Sequence, residues 1–297
     1  KEMNVIAVLP FLLSMVPGIA LLGYANVAGK QLLDRGIPEY FLIAVSRSLM
    51  AAVFCTLLFL TGVPALKDGF WFAFCVTVTL NMFGQWVWYR AFKLDEASFI
   101  GPLRLMVPIL TLGTGFLFLG EVPTWWGAVG VFVSIAGIWF LIQSHASGTA
   151  QSLRAVFNSP SLRFALAGAV AFSISFVFDK QVVVSSSALV FSAGINAALG
   201  ILSFAATALF EHDRFPGFRV LLSPIFALHL VALGGANYLA AHALNFAPAA
   251  YASSVKRLES FWTVLFAGAF LKEGNIVRKA VACSVMLLGV ALTIFLG

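Results

Sequence analysis

Apolar residues do not alternate with polar ones in this chain; they run on for some twenty positions at a time, and short polar breaks separate the runs. A run of about 20 apolar residues at 1.5 Å rise is the length of one helical crossing of a bilayer. The pattern predicts helices over 5–29, 39–61, 69–92, 96–119, 122–143, 162–184, 187–210, 222–246, 248–271 and 275–296. The breaks carry turn chemistry: Gly36-Ile37-Pro38, Thr61-Gly62-Val63-Pro64, Gly120-Glu121-Val122-Pro123 and Phe215-Pro216-Gly217. The expected fold is all-α, a polytopic membrane protein of ten transmembrane helices. The first run is read as a helix, not a cleaved leader, because no small-residue cleavage site follows it.

Composition agrees. The chain is 61% hydrophobic and 10% charged, with a mean hydropathy of +0.99, whereas a soluble domain carries roughly 25% charged residues. So much apolar surface excludes a soluble globule and intrinsic disorder, and continuous runs exclude a transmembrane barrel. Cys55, Cys75 and Cys283 lie inside apolar runs, with spacing that suits neither disulfides nor zinc, and are expected to be buried packing. The net charge of +6 is not gathered into a basic, aromatic-studded soluble patch, so no nucleic-acid partner is expected.

The chain repeats itself. A shift of 150 residues sets Lys30-Gln31 on Lys180-Gln181 and Phe41 on Phe191. A shift of 152 sets Gln85 on Asn237, Arg104 on Lys256, Glu121 on Glu273 and Gly137 on Gly289. Two units follow, 1–144 and 162–297, joined by a Ser/Ala/Gly-rich linker at 145–161. Five helices per unit is an odd number, so the second copy enters the membrane upside down. Inverted copies supply two related arrangements of one structure, the basis of alternating access. Counting Lys and Arg in the loops puts both termini outside.

The stretch Tyr89-Arg-Ala-Phe-Lys-Leu-Asp-Glu-Ala-Ser, with Pro108, Leu119-Gly120-Glu121, Gly127 and Ala136-Gly137, resembles one EamA repeat. A second copy runs through Ala249-Ala250-Tyr251-Ala252-Ser253, Lys256-Arg257, Leu271-Lys272-Glu273 and Leu288-Gly289-Val290. The chain thus resembles the drug/metabolite transporter superfamily over nearly its whole length. The resemblance implies a ten-helix inverted-repeat carrier with a central cavity lined by helices 1, 3, 4, 6, 8 and 9. It also implies termini in the cytoplasm and a bacterial inner membrane; the loop charges disagree, and orientation stays open. Arg104 with Lys256-Arg257 is similar to the cation set that grips phosphate in sugar-phosphate translocators; Glu259 departs from that pattern.

An ionisable side chain deep in a spanning helix costs about 2.5–3.5 kcal/mol on insertion scales, so it persists where it meets a cavity or a partner. Arg104, Lys256 and Arg257 are candidate anion-binding residues, and Glu259 is their candidate internal partner or competitor. Lys256, Ser260 and Thr263 share a helical face, which turns Arg257 away toward a helix interface. Asn81, Gln85 and Tyr89 with Trp86 on helix 3, and Asn237, Tyr238 and His242 on helix 8, are candidates for the rest of a polar ligand; interhelical hydrogen bonding is their structural alternative. Trp88, Trp125, Trp126 and Trp139 read as membrane-interface anchors. Arg47 has Ala197 as its repeat mate and gains no support from symmetry; Asp179-Lys180 reads as a local pair at a helix end. His229 and His242 are read as packed histidines before proton shuttles. The expected function is a secondary carrier of a small organic metabolite, anionic or zwitterionic, with no cofactor, catalytic residue or metal ligand. Its partners are the substrate, membrane lipid and a coupling ion or counter-substrate, in a monomer or homodimer. The alternatives are an exporter of amino acids or amphiphilic drugs and, from another class, a membrane-embedded enzyme.

Overall fold

The apolar runs become helices of bilayer length. The computed structural model describes residues 5–107, 109–110, 125–146, 154, 156, 158–210, 221–243 and 255–295. Its long helices are α1 (Val5–Asp34), α2 (Glu39–Thr61), α3 (Phe70–Leu94), α5 (Trp125–His145), α6 (Pro160–Ser185), α7 (Ala188–Phe210), α8 (Pro224–Ala243) and α10 (Ile276–Phe295). The short α4 (Ala97–Ile100) and α9 (Glu259–Phe266) stand between them. Among the described residues six helices are long and apolar enough to cross a membrane, at Phe11–Asp34, Glu39–Thr61, Phe70–Leu94, Trp125–His145, Pro160–Ser185 and Ala188–Phe210.

Local chemistry sets the ends. α1 runs past the expected residue 29 because Lys30 Nζ pairs with Asp34 Oδ1 at 2.7 Å one turn on. It stops at Gly36, whose φ of 85° is left-handed, just before Pro38. Gly62 (φ 85°) closes α2 and Gly69 (φ 81°) precedes α3. Ser159 caps α6 by accepting from the Leu162 amide at 3.3 Å.

The fourth and ninth helices differ from expectation. After α4 the chain tightens into a 3₁₀ segment, Gly101–Leu105, with Pro102 at its start. Residues 108 and 111–124, which hold the rest of the expected fourth helix and the turn at Glu121, fall outside the described residues. In the second copy helix breaks at Arg257-Leu258, where the amides of Leu258, Ser260 and Phe261 each bond three residues back. α9 therefore begins only at Glu259 and ends in a π turn, Ala267–Leu271. Pro102 explains the first tightening, because it offers no amide to a regular helix.

Four antiparallel pairs dominate the packing: α1 with α8, α3 with α6, α2 with α7, and α5 with α10. Exchanging the halves maps the first two pairs onto each other and the last two onto themselves. The contacts obey the same exchange. A Cβ on Gly18 would meet Leu239 Cβ at 3.2 Å and Ala236 O at 3.7 Å; one on Gly168 would meet Val87 at 3.2 Å and Gly84 O at 3.5 Å. These are repeat mates at shifts of 150 and 152. In the same way Gly137 faces Met286 and Ala282, while Gly289 faces Ser134 and Gly130. Small residues at these crossings let backbones approach where no hydrophobic effect drives helices together.

Two further expectations change. Cys283 is buried, but Cys55 and Cys75 are exposed on the outer surface. Trp125, Trp126 and Trp139 face outward, whereas Trp88 is fully buried and is no interface anchor.

Candidate functional site

The tight turns of both copies deliver their cations to one place. Arg104 leaves the 3₁₀ segment and Lys256 and Arg257 sit at the break before α9, so all three reach a central cavity of about 120 Å³. α1 adds Leu22 and Asn26, α2 adds Arg47, α3 adds Asn81, Gln85 and Tyr89, α6 adds Phe172, Phe176 and Asp179, and α8 adds Leu233 and Asn237. Broken helices at mid-membrane offer backbone and side chains to a polar occupant, provided they line a cavity.

Each charge has a distinct environment. Arg104 Nη1 lies 3.2 Å from Glu259 Oε1, and its guanidinium rests 4.6 Å above the Trp88 ring and 5.5 Å from that of Phe172. Arg47 is held by amides: Nε and Nη2 donate to Gln85 Oε1 at 3.0 and 2.7 Å, and Nη1 donates to Asn196 Oδ1 at 2.9 Å. Lys256 and Arg257 form no ion pair among the described residues, and Arg257 Nε and Arg104 Nε have no hydrogen-bond partner there. Asp179 Oδ1 accepts from Thr77, from Ser175 at 3.0 Å and from Asn81 at 3.1 Å. Asp179 thus bonds across to α3 and faces the cavity, instead of forming only a local pair at a helix end.

Counting the cavity lining with Glu259 behind it, four cations (Arg47, Arg104, Lys256, Arg257) meet two carboxylates (Asp179, Glu259), an excess of two positive charges. In a low-dielectric site such an excess is costly.

Of the residues singled out from sequence, Arg104, Lys256, Arg257, Asn81, Gln85, Tyr89 and Asn237 line the cavity. Four do not. Glu259 is fully buried behind Arg104, with Oε2 unpartnered among the described residues. Trp86 is turned outward and stacks on Tyr40 with centroids 5.7 Å apart. Tyr238 is 43% exposed and lies against Phe54. His242 Nδ1 sits 3.1 Å from Ser14 Oγ. Arg257 lines the cavity instead of a helix interface because the break at 257–258 cancels the continuous-helix rotation. His229 is buried, with Nδ1 2.9 Å from Ala25 O. Arg47, Asp179 and Asn26 join the cavity without having been chosen. An arginine eight positions inside an apolar run was the signal for Arg47.

At one end of the bundle a polar network links the α3–α4 loop to the ends of α5, α6 and α10. The imidazole of His145 lies 3.0 Å from Asp95 Oδ1 and 3.4 Å from Glu96 Oε2, and stacks 4.0 Å from Phe99. Lys279 pairs with Glu96 and donates to Ser98 Oγ at 2.8 Å. Ser161 donates to Asp95 Oδ2 at 2.7 Å. Glu273 accepts the Ala97 and Ser98 amides, both at 2.8 Å, at the start of α4. Burial opposes ionisation of Asp95, but hydrogen bonds from His145 and Ser161 outweigh it and hold that carboxyl below the usual range. His145 foremost, and then Lys279, overcome burial to hold Glu96 low as well. No cluster of metal-ligating side chains occurs among the described residues.

Residues 9–143 and 160–295 each match the model of the EamA-like transporter family. A crystal structure of a protein 18% identical in sequence superposes with a TM-score of 0.65, over 95% of this chain and 96% of that one, and so shares the fold. Comparison with curated proteins gives no match.

Proposed function

The chain belongs to the EamA-like transporter family, an integral, multi-pass membrane transporter family, and from that premise we propose that it is a secondary carrier of a small organic anion. The excess of two positive charges carries the reading: Arg104, Lys256 and Arg257 grip the anionic group, and Arg47 adds charge from behind Gln85. Asn81, Asn237 and Tyr89 take the polar remainder of the substrate. Phe172 and Phe176 supply an apolar wall.

The carrier works by alternating access between two inverted five-helix repeats, 1–144 and 162–297, joined by 145–161. The two matched segments and the exchange symmetry of the helix pairs support this. The Asp95–Glu96–His145–Lys279 network is the closed gate of one access state. Substrate competes with Glu259 for Arg104, so occupancy biases the switch between states. Flux runs by exchange with a counter-substrate or on an ion gradient.

A zwitterion is the second reading, favoured by one observation: Asp179 shares the cavity with the cations and could hold an ammonium group. Thermal unfolding of the purified carrier against inorganic phosphate, short organic phosphates, dicarboxylates, amino acids and cationic amines tests the proposal, since a ligand of the folded state raises its midpoint. Organic anions raise it and cationic amines do not; a rise with amines alone overturns the anion reading.

A further inference from the structure

The central cavity lies beside an apolar groove on the outer surface, between α2 and α8. Leu49, Met50, Val53 and Phe54 line it from α2, and Leu230, Gly234, Gly235 and Tyr238 from α8, around a volume of about 360 Å³. Exchange of the halves predicts a twin between α7 and α3, and the twin exists: about 340 Å³, with Thr79, Met82, Phe83 and Trp86 at the mates of Val231, Gly234, Gly235 and Tyr238.

The twins differ where they meet the cavity. Behind the α3 groove Arg47 ties three helices together through Gln85 on α3 and Asn196 on α7. Met82, its floor, accepts a hydrogen bond from Ser203 at 3.3 Å. Behind the α8 groove the mate of Arg47 is Ala197, and Asn237, mate of Gln85, donates to Leu233 O of its own helix at 2.9 Å. α2 and α8 meet only sparingly. The floor is two glycines, and a Cβ on Gly234 would find only the Met50 Cγ and Sδ, at 3.5 Å. Met50 and Phe54 of the groove and Leu22 and Leu233 of the cavity belong to one packed cluster. The packed apolar cluster between cation site and groove thus includes an unbranched and adaptable methionine.

We infer that the α2–α8 seam is a side port, and that the transported anion is amphiphilic: its anionic head sits on Arg104, Lys256 and Arg257 while its apolar tail passes Met50 into the groove. The inference rests on the anion reading above and narrows the substrate class within it. A head confined to about 120 Å³ leaves a tail no room in the cavity, and the groove is the neighbouring apolar space. Lipid is as apolar as the groove, so the seam permits the tail without driving its entry. Filling the seam therefore excludes long tails and spares short substrates.

The test uses the full chain in nanodiscs and an octyl phosphate bearing a diazirine at the tail end. Irradiation labels residues 49–57 and 230–238, and excess ethyl phosphate suppresses that labelling because it competes for the head site. Labelling spread over all lipid-facing helices, or unaffected by ethyl phosphate, overturns the port and leaves ordinary lipid as the occupant. Stabilisation of the carrier by ethyl phosphate is read in parallel, so loss of the anion site is told apart from loss of the port. Gly234→Met with Gly235→Phe, copying the twin groove, lowers octyl phosphate uptake at least tenfold and leaves ethyl phosphate uptake within twofold. Equal effects on both chain lengths overturn the proposal. The labelling arm needs no variant and stands if that one fails to fold.

Discussion

Arg104 and Lys256 are repeat mates with different burdens. Arg104 neutralises Glu259, which is wholly buried. Removing one partner of such a pair strands a charge and costs about 3–5 kcal/mol. Arg104→Ala is expected to lower the thermal midpoint sharply, and Arg104→Gln with Glu259→Gln to restore much of it. Lys256→Ala strands no carboxylate in an ion pair, so its midpoint stays near wild type while ligand stabilisation disappears; circular dichroism melts with and without ligand check both outcomes. Asp179→Asn keeps an oxygen for Thr77 and Ser175 to donate to but removes the negative charge opposite the cations. An anionic ligand then binds roughly three- to tenfold tighter, as expected for losing one like charge at intermediate dielectric; a zwitterion binds more weakly, and isothermal titration separates the two. Much of this site was legible, because a cation inside an apolar run is conspicuous. Arg47 was passed over because its mate is Ala197, and symmetry argues only for residues present in both copies. Trp86 and Tyr238 were chosen as neighbours of Gln85 and Asn237 in sequence, yet one residue along a helix is a 100° turn, which takes both away from the cavity.

At the level of elements, helix existence followed from apolar length, and the ends followed from Gly36, Gly62 and Pro38. The breaks beside Arg104 and Lys256 were not legible. Hydropathy registers how apolar a segment is and is blind to whether its hydrogen bonds run to the third or fourth residue back. Those breaks matter, since they bring Arg257 into the cavity beside Lys256. The α5–α10 crossing offers a check on packing. A Cβ on Gly289 would lie 2.5 Å from Gly130 O and from Ser134 N, both backbone atoms. Gly289→Ala must push the helices apart, and overpacking of this kind costs about 1–3 kcal/mol, visible as a lower midpoint and poorer expression. The network at the α3–α4 loop offers another. Asp95 and Glu96 have depressed folded values, so their contribution is complete above the ordinary values of 3.8 and 4.5 and is lost as pH falls through the lower folded ones. Thermal stability in detergent should therefore fall as the pH drops below about 4.5. Asp95→Asn with Glu96→Gln should flatten that fall; an unchanged acid limb would remove the network from the account.

Across the whole molecule, the matched contacts of Gly18 with Gly168 and Gly137 with Gly289 set the plan, and the polar network at the α3–α4 loop departs from it. Asp95, Glu96, Ser98 and Lys279 have Ala247, Pro248, Ala250 and Gly127 as mates, so these charges have no polar counterparts at their mated positions. In the carrier cycle proposed above, ties that lack mated counterparts would bias the equilibrium toward closure at that end. The repeat was legible from a few residues at shifts of 150 and 152, whereas the network needed coordinates to reveal which charges meet. The central claim is that buried cations bind an organic anion on its way across the bilayer. Uptake of a radiolabelled organic phosphate into proteoliposomes, for wild type and Lys256→Ala, tests it most directly. The account predicts saturable wild-type uptake, accelerated by unlabelled phosphate ester inside, and background flux for the variant. Wild-type rates in Lys256→Ala, or flux that rises linearly without saturating, would contradict it.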